Sequence, residues 1–122
     1  ESLLNAITQN EENVNNISHT IENKITLAKA LLEIAAEEYA LGIINGDIVN
    51  VHEYQDALGF TTVAKNILKE ANSLTSSEEV KRNKVIAIIE SLSPLWLSLV
   101  PTEKINGDAI KILTAVSKIN SL

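Results

Sequence analysis

The chain has 122 residues, of which 45 % are hydrophobic and 3 % aromatic, and it contains four Gly, two Pro and no Cys. This length suits one domain around one core, and the lack of Cys excludes disulfides, thiolate metal ligands and cysteine nucleophiles. A formal charge of −6 and a pI near 4.9 argue against binding to a nucleic-acid backbone, and no apolar run is long enough to span a membrane.

Residues 1–20 form the least regular part of the chain. Their apolar positions are interrupted by an unbroken polar run from Gln9 to Asn13, which predicts a weak or frayed helical extension. The chain begins at Glu1 and contains no Met, so we expect a processed protein or an excised domain whose flanking signals, anchors or further domains have been removed.

A clear helical pattern begins at Ile21, where apolar residues start to recur every three or four positions. The pattern continues through Tyr39 and predicts one amphipathic helix over residues 21–45. We expect that helix to end near Gly46, because glycine readily adopts the left-handed conformation that commonly closes a helix.

A second helix is predicted over residues 50–72. Asn50, with Glu53 three residues later, has the form of a capping box at a helix start. Because the link between the first two helices is short, they should pack as antiparallel neighbours. The seam predicted for the second helix comprises Glu53, Ala57, Phe60, Ala64, Ile67 and Ala71.

Two further helices complete the predicted fold. Ser76 and Glu79 again have capping-box spacing, and the third helix should then be kinked at Pro94 before a fourth begins after Pro101. The sequence thus predicts an all-α fold, an antiparallel four-helix bundle over residues 21–122. The expected core of these two helices is Val85, Ile88, Ile89, Leu92, Leu95, Trp96 and Leu99, then Ile105, Ala109, Ile112, Val116 and Ile119.

Glu38 is the most informative polar residue. At about 100° per residue it falls on the apolar face of the first helix, close to Leu31 and Ile34. Glu53 raises the same question, because it occupies the seam of the second helix. An unpartnered buried carboxylate is costly or becomes protonated, so each should meet a cation, a basic side chain or a hydroxyl.

Asp56 and His52 lie one turn apart on the second helix, toward the same end as Glu38 and Glu53. Carboxylates and imidazole suit a hard or borderline cation, so these four residues form a candidate metal site. The alternative is purely structural. In that interpretation Glu53 caps the helix, Glu38 accepts a hydrogen bond from Tyr54 or a basic residue, and Asp56 and His52 are solvated.

Recognised catalytic patterns are absent from the sequence. A ferritin-like di-iron centre needs Glu-x-x-His, but Asn16 and Val49 occupy the first position before His19 and His52. The chain also has no Gly-x-Ser-x-Gly motif and no glycine-rich phosphate loop. We therefore assign no catalytic residues and expect a protein that is not an enzyme.

The run from Glu38 to Asn50, followed by Glu53-Tyr54-Gln55-Asp56 and Phe60, resembles a segment of bacterial high-affinity iron permeases. The shared pattern is an acid-Tyr pair, a short apolar stretch, Gly, a β-branched pair, and then Glu-Tyr with another acid. The resemblance covers about residues 25–72. In that family the segment is similar to part of the extracytoplasmic helical region that precedes the transmembrane permease.

The resemblance implies a periplasmic or cell-surface module that assists iron uptake, with a membrane permease or another uptake component as partner. It implies iron as the bound cation, and its family-like positions are Glu38, Tyr39, Glu53, Tyr54 and Asp56. The two tyrosines would orient the carboxylates by hydrogen bonding.

Two departures from the family pattern limit this expectation. Position 59 is Gly where an acid would be expected before Phe60, and the permease motif Arg-Glu-x-x-Glu is absent, so transport itself does not reside in this chain. The leading hypothesis is a non-catalytic extracytoplasmic domain that binds or presents a cation through carboxylates. The rival is a structural or protein-interaction bundle without a metal site.

Overall fold

The computed structural model describes residues 21–96 and 108–122, and in these ranges the chain forms four α-helices and one short β-ribbon. The predicted all-α fold, a four-helix bundle, is confirmed. The extension predicted for residues 1–20 lies outside the described residues, as do Leu99 and Ile105. The elements are α1 (Ile21–Gly42), β1 (Ile43–Ile44), β2 (Asp47–Ile48), α2 (Val51–Lys69), α3 (Ser76–Glu90), a 3-10 helix (Ser93–Trp96) and α4 (Ala109–Asn120).

Helices α1 and α2 form the central antiparallel pair, and small residues line their contact. Ala28, Ala35, Ala57 and Ala64 are all completely buried, which allows the two helix backbones to approach closely. None of the helices in the described part of the chain is long and apolar enough to cross a lipid bilayer.

Helices α3 and α4 pack around this pair. The Nζ of Lys29, near the start of α1, donates a hydrogen bond to Oδ1 of Asn120 at the end of α4, at 2.7 Å. Lys81 of α3 forms an ion pair with Glu22 of α1 at 2.8 Å. Ala40 near the end of α1 and Ala109 at the start of α4 line one surface groove, and this contact together with the Lys29 hydrogen bond shows that α1 and α4 are antiparallel.

The first helix ends earlier than the sequence predicts. Helix α1 stops at Gly42, and Asn45 and Gly46, with φ of 53° and 83°, form the two-residue turn between β1 and β2. Two consecutive residues with positive φ are typical of a type I′ hairpin turn. The predicted helix over 21–45 is therefore wrong in its last three residues, because the Asn-Gly pair closes a hairpin and not a helix.

Both predicted capping boxes are wrong. Asn50 precedes α2 in extended conformation but its side chain makes no cap hydrogen bond, and its Nδ2 instead donates to the Leu41 carbonyl at 2.8 Å. At the start of α3 the box is formed by Thr75 and Glu78, one residue before the predicted pair Ser76 and Glu79. Asn50 thus ties the end of α1 to the start of α2.

The buried face of α2 is also displaced by one residue from part of the predicted seam. Glu53, Phe60 and Ile67 lie at its edges and are half-buried, whereas their neighbours Tyr54, Thr61 and Leu68 point into the core. The predicted central positions Ala57 and Ala64 are confirmed. The complete buried set is Tyr54, Ala57, Thr61, Ala64 and Leu68.

The kink predicted at Pro94 is wrong, because α3 has already ended at Glu90. Proline lies inside the following 3-10 helix, where its missing N–H and fixed φ cost little. This short helix carries Leu95 and Trp96 into the core, as the sequence predicts.

Candidate functional site

The candidate residues meet at one end of the bundle, where α1 runs through the ribbon into α2. We call this region, residues 37–56, the hairpin end. Glu38 near the end of α1 and Glu53 in the first turn of α2 are half-buried, whereas His52 and Asp56 are exposed. The sequence predicts that both glutamates point into the bundle. In the structure they point inward only in part, because both lie at the edge of the α1–α2 contact.

The acids at the hairpin end lie close enough to affect one another. Partial burial raises the pKa of Glu38, and the negative charges of Asp56, Glu53 and Glu37 raise it further. Within residues 21–96 and 108–122, no three His, Asp or Glu side chains are arranged to hold a metal ion. The carboxylates thus repel one another, but they do not form a complete metal-binding site.

The two tyrosines of the acid-Tyr pairs are core residues. Tyr39 is completely buried and Tyr54 is 1 % exposed. Both hydroxyls donate to the same acceptor, the carbonyl oxygen of Leu95, at 2.9 Å and 3.1 Å. The role of the tyrosines in orienting the carboxylates stays a prediction, and the protons of both hydroxyls go to the Leu95 carbonyl.

Burial raises the pKa of the Tyr39 hydroxyl, with further contributions from Tyr54 and Asp108. Burial also raises the pKa of Tyr54. Both hydroxyls therefore remain protonated over the whole physiological range, which keeps the two hydrogen bonds to Leu95 intact.

Trp96 completes an aromatic cluster with the two tyrosines. Its ring meets Tyr39 edge-on, with centroids 5.4 Å apart, and the centroids of Tyr39 and Tyr54 are 5.8 Å apart. The indole Nε1 donates to the Tyr54 carbonyl at 3.0 Å. The sequence predicts Trp96 as a core residue but gives no sign of this cluster, because its hydrogen bonds join residues 41 to 56 positions apart.

Gly42 brings the two helices together at the hairpin end. A Cβ atom at this position would lie 2.7 Å from the backbone nitrogen of Tyr54, which is closer than atoms of a folded chain normally approach. The Gly42 carbonyl accepts hydrogen bonds from the backbone nitrogens of Val49 at 2.8 Å and Asn50 at 3.3 Å. The glycine of the family-like pattern therefore has a steric explanation.

These contacts explain why the two glutamates come together. Consecutive residues of a helix point about 100° apart, so an acid that precedes a buried tyrosine lies at the flank of the buried face. Tyr39 and Tyr54 converge on one carbonyl, and this convergence places Glu38 and Glu53 at the same flank of the α1–α2 contact. The two acid-Tyr pairs thus place two carboxylates at the edge of the buried face, beside the two buried tyrosines.

Residues 15–122 match the family model described as the iron permease-associated 4-helix bundle domain. The chain belongs to this family. Membership confirms the resemblance found in the hairpin segment and extends it to the second half of the bundle, and the family is not a known enzyme family. Comparisons with curated proteins and with solved structures give no match.

Proposed function

We propose that this iron permease-associated domain is a non-catalytic, extracytoplasmic part of an iron-uptake system, and that it binds or presents an iron cation to a membrane permease. The observation that carries the proposal is the family match over residues 15–122. The cluster of carboxylates at the hairpin end supports the cation-binding part. Fractionation of cells that produce this protein tests its location.

The proposed binding residues are Glu38 and Glu53. The exposed side chains of Asp56 and His52 would act as helpers by turning toward a bound ion, because the described residues hold no three of these groups in a metal-binding arrangement without one. Carboxylate oxygens are hard donors that suit iron cations, and a bound cation would relieve the repulsion that raises the pKa of Glu38. A half-open site with few ligands binds an ion weakly and releases it readily. Those are the properties required of a domain that passes its cargo to a permease.

Isothermal titration of the full chain with ferrous iron under anaerobic conditions, and with ferric citrate, tests this site. The double variant Glu38→Gln/Glu53→Gln should lose most of the binding heat. The matched control is Glu70→Gln/Glu79→Gln, which removes the same charge from exposed positions at the end of α2 and in the first turn of α3. Equal heats for wild type and the hairpin variant would rule out the site.

The rival function is a purely structural or protein-interaction bundle, and one observation favours it. The hydroxyls of Tyr39 and Tyr54 both bind the Leu95 carbonyl, so packing alone explains the positions of the two tyrosines without any ion. Purified protein that contains no metal and shows no titration heat, but forms a stable complex with the permease, would support this second function.

A further inference from the structure

We propose that the hairpin end is a docking surface for a protein partner whose complementary surface is apolar at its centre and bordered by Lys and Arg. The identification of that partner as the extracytoplasmic face of the permease rests on the proposed function. Three properties of the hairpin end support this docking surface: its exposed apolar residues, its hydrogen-bonded support and its charge.

The hairpin end exposes four large apolar side chains within eleven residues. Leu41, Ile44, Val49 and Val51 are 56 %, 53 %, 49 % and 41 % exposed, and we call them the tip patch. Single exposed apolar residues are ordinary on soluble proteins, whereas a local group of them marks an interaction surface. None of the four contributes to the buried core.

The ribbon accounts for the outward direction of the tip patch. Ile43 pairs with Ile48 across the ribbon, and both pack toward the core. Side chains alternate along a strand, so Ile44 points to the opposite face, and Val49, the residue after β2, is also exposed. Neither belongs to the buried core, so we expect a hydrophilic residue to replace either with little effect on core packing.

The tip patch stands on a rigid support. The Gly42 carbonyl accepts two backbone hydrogen bonds from the end of the ribbon, and Nδ2 of Asn50 binds the Leu41 carbonyl. Beneath it, the backbone of Gly42 lies directly against Tyr54 of the aromatic cluster. A surface already held in one conformation loses little entropy on binding, which favours recognition of a partner.

The charge around the tip patch decides which partner fits. Between residues 30 and 64 the chain has no Lys or Arg, and outside this segment its acidic and basic residues balance, so the segment accounts for the whole formal charge of −6. Such a surface attracts a basic one and is repelled by anionic lipid headgroups or by a second copy of itself. The acids are Glu33, Glu37, Glu38, Asp47, Glu53 and Asp56.

The test measures binding of the full chain to the permease in nanodiscs of zwitterionic lipid, by biolayer interferometry at low and moderate salt. The variant Ile44→Ser/Val49→Ser removes the outward apolar groups. Its control, Val63→Ser/Val80→Ser, removes two equally exposed valines from α2 and α3. Thermal melts of both variants check that each is folded.

We expect Ile44→Ser/Val49→Ser to weaken binding about tenfold or more, with less than a twofold change for the control, and the wild-type affinity to fall as salt increases. If wild type and both variants bind equally, the docking surface is wrong but the permease association stands. If the wild type does not bind the permease at all, both proposals fail. Binding to empty anionic nanodiscs, or self-association lost in the tip variant, identifies another occupant and overturns the inference.

Discussion

Gly42 is the residue on which the geometry of the hairpin end depends most directly. We expect Gly42→Ala to destabilise the domain by about 2 kcal/mol, because the new methyl group meets the Tyr54 backbone and forces α1 and α2 apart. Gly59→Ala is the matched control, since nothing lies within 4 Å of its Cβ position and alanine is the better helix former. Urea unfolding should show a loss for the first and a gain of about 0.5–1 kcal/mol for the second. Equal stability of the two variants would contradict the close approach.

The shared acceptor of the two tyrosines predicts a coupled effect. Tyr39→Phe and Tyr54→Phe should each cost about 1 kcal/mol or less, because one donor still satisfies the Leu95 carbonyl. The double variant leaves that buried carbonyl without either donor and should cost more than the sum, with a coupling of about 1 kcal/mol. A double-mutant cycle by urea unfolding measures this coupling, and strict additivity would show that the two hydrogen bonds are independent.

Glu38 predicts a pH dependence with a definite sign. Its pKa is higher in the folded domain than in the unfolded chain, so the ionised side chain opposes folding at neutral pH. Glu38→Gln should therefore raise the melting temperature at pH 7. The gain should shrink as the pH falls through the pKa of folded Glu38 and vanish below the pKa of an unfolded glutamate. A gain that is constant between pH 3 and pH 7 would mean that the charge of Glu38 is not involved.

These residues also show what the sequence can and cannot reveal about the site. Periodicity is enough to select Glu38 and Glu53, because a carboxylate near an apolar seam is visible in the pattern itself. The function of Tyr39 and Tyr54 cannot be found in this way, because their common partner is a backbone carbonyl in another element. Every residue has a backbone carbonyl, so the sequence does not show which residue accepts these hydrogen bonds.

At the scale of single elements, the capping box at the start of α3 differs between the structure and the sequence prediction. Thr75→Ala should cost about 1 kcal/mol, because it removes the side chain that accepts a hydrogen bond from the Glu78 backbone nitrogen. Ser76→Ala, which the sequence pattern would make the more harmful change, should cost little. Thermal melts of the two variants provide the measurement, and the reverse order of stability would restore the predicted box of Ser76 with Glu79.

The limits of the helices were harder to predict than their existence. A helical repeat of about 3.6 residues extends over several turns, so one atypical residue does not hide the helix. The end of a helix depends on only a few residues. Asn45-Gly46 suits either a helix end or a type I′ turn, and the choice depends on how closely α2 approaches Gly42. Likewise, adjacent Thr, Ser and Glu residues allow two capping boxes one position apart, and packing selects between them.

At the scale of the whole molecule, the formal charge of −6 belongs to residues 30–64, which carry six acids and no Lys or Arg, while the acids and bases of the remaining sequence balance. This uneven distribution along the chain is visible in the sequence itself. Only the antiparallel packing of α1 and α2 shows that Glu38, Glu53 and Asp56 lie close enough to affect one another.

We propose that the domain binds iron at the acidic hairpin end. Amide NMR spectra of the full chain, recorded during titration with manganese(II) as a paramagnetic stand-in for ferrous iron, test it most directly. We predict that the amides around Glu38, Glu53 and Asp56 broaden first, at metal concentrations that leave the start of α1 and the end of α2 unchanged. Uniform broadening, or broadening that begins at Glu78 and Glu79, would contradict the claim.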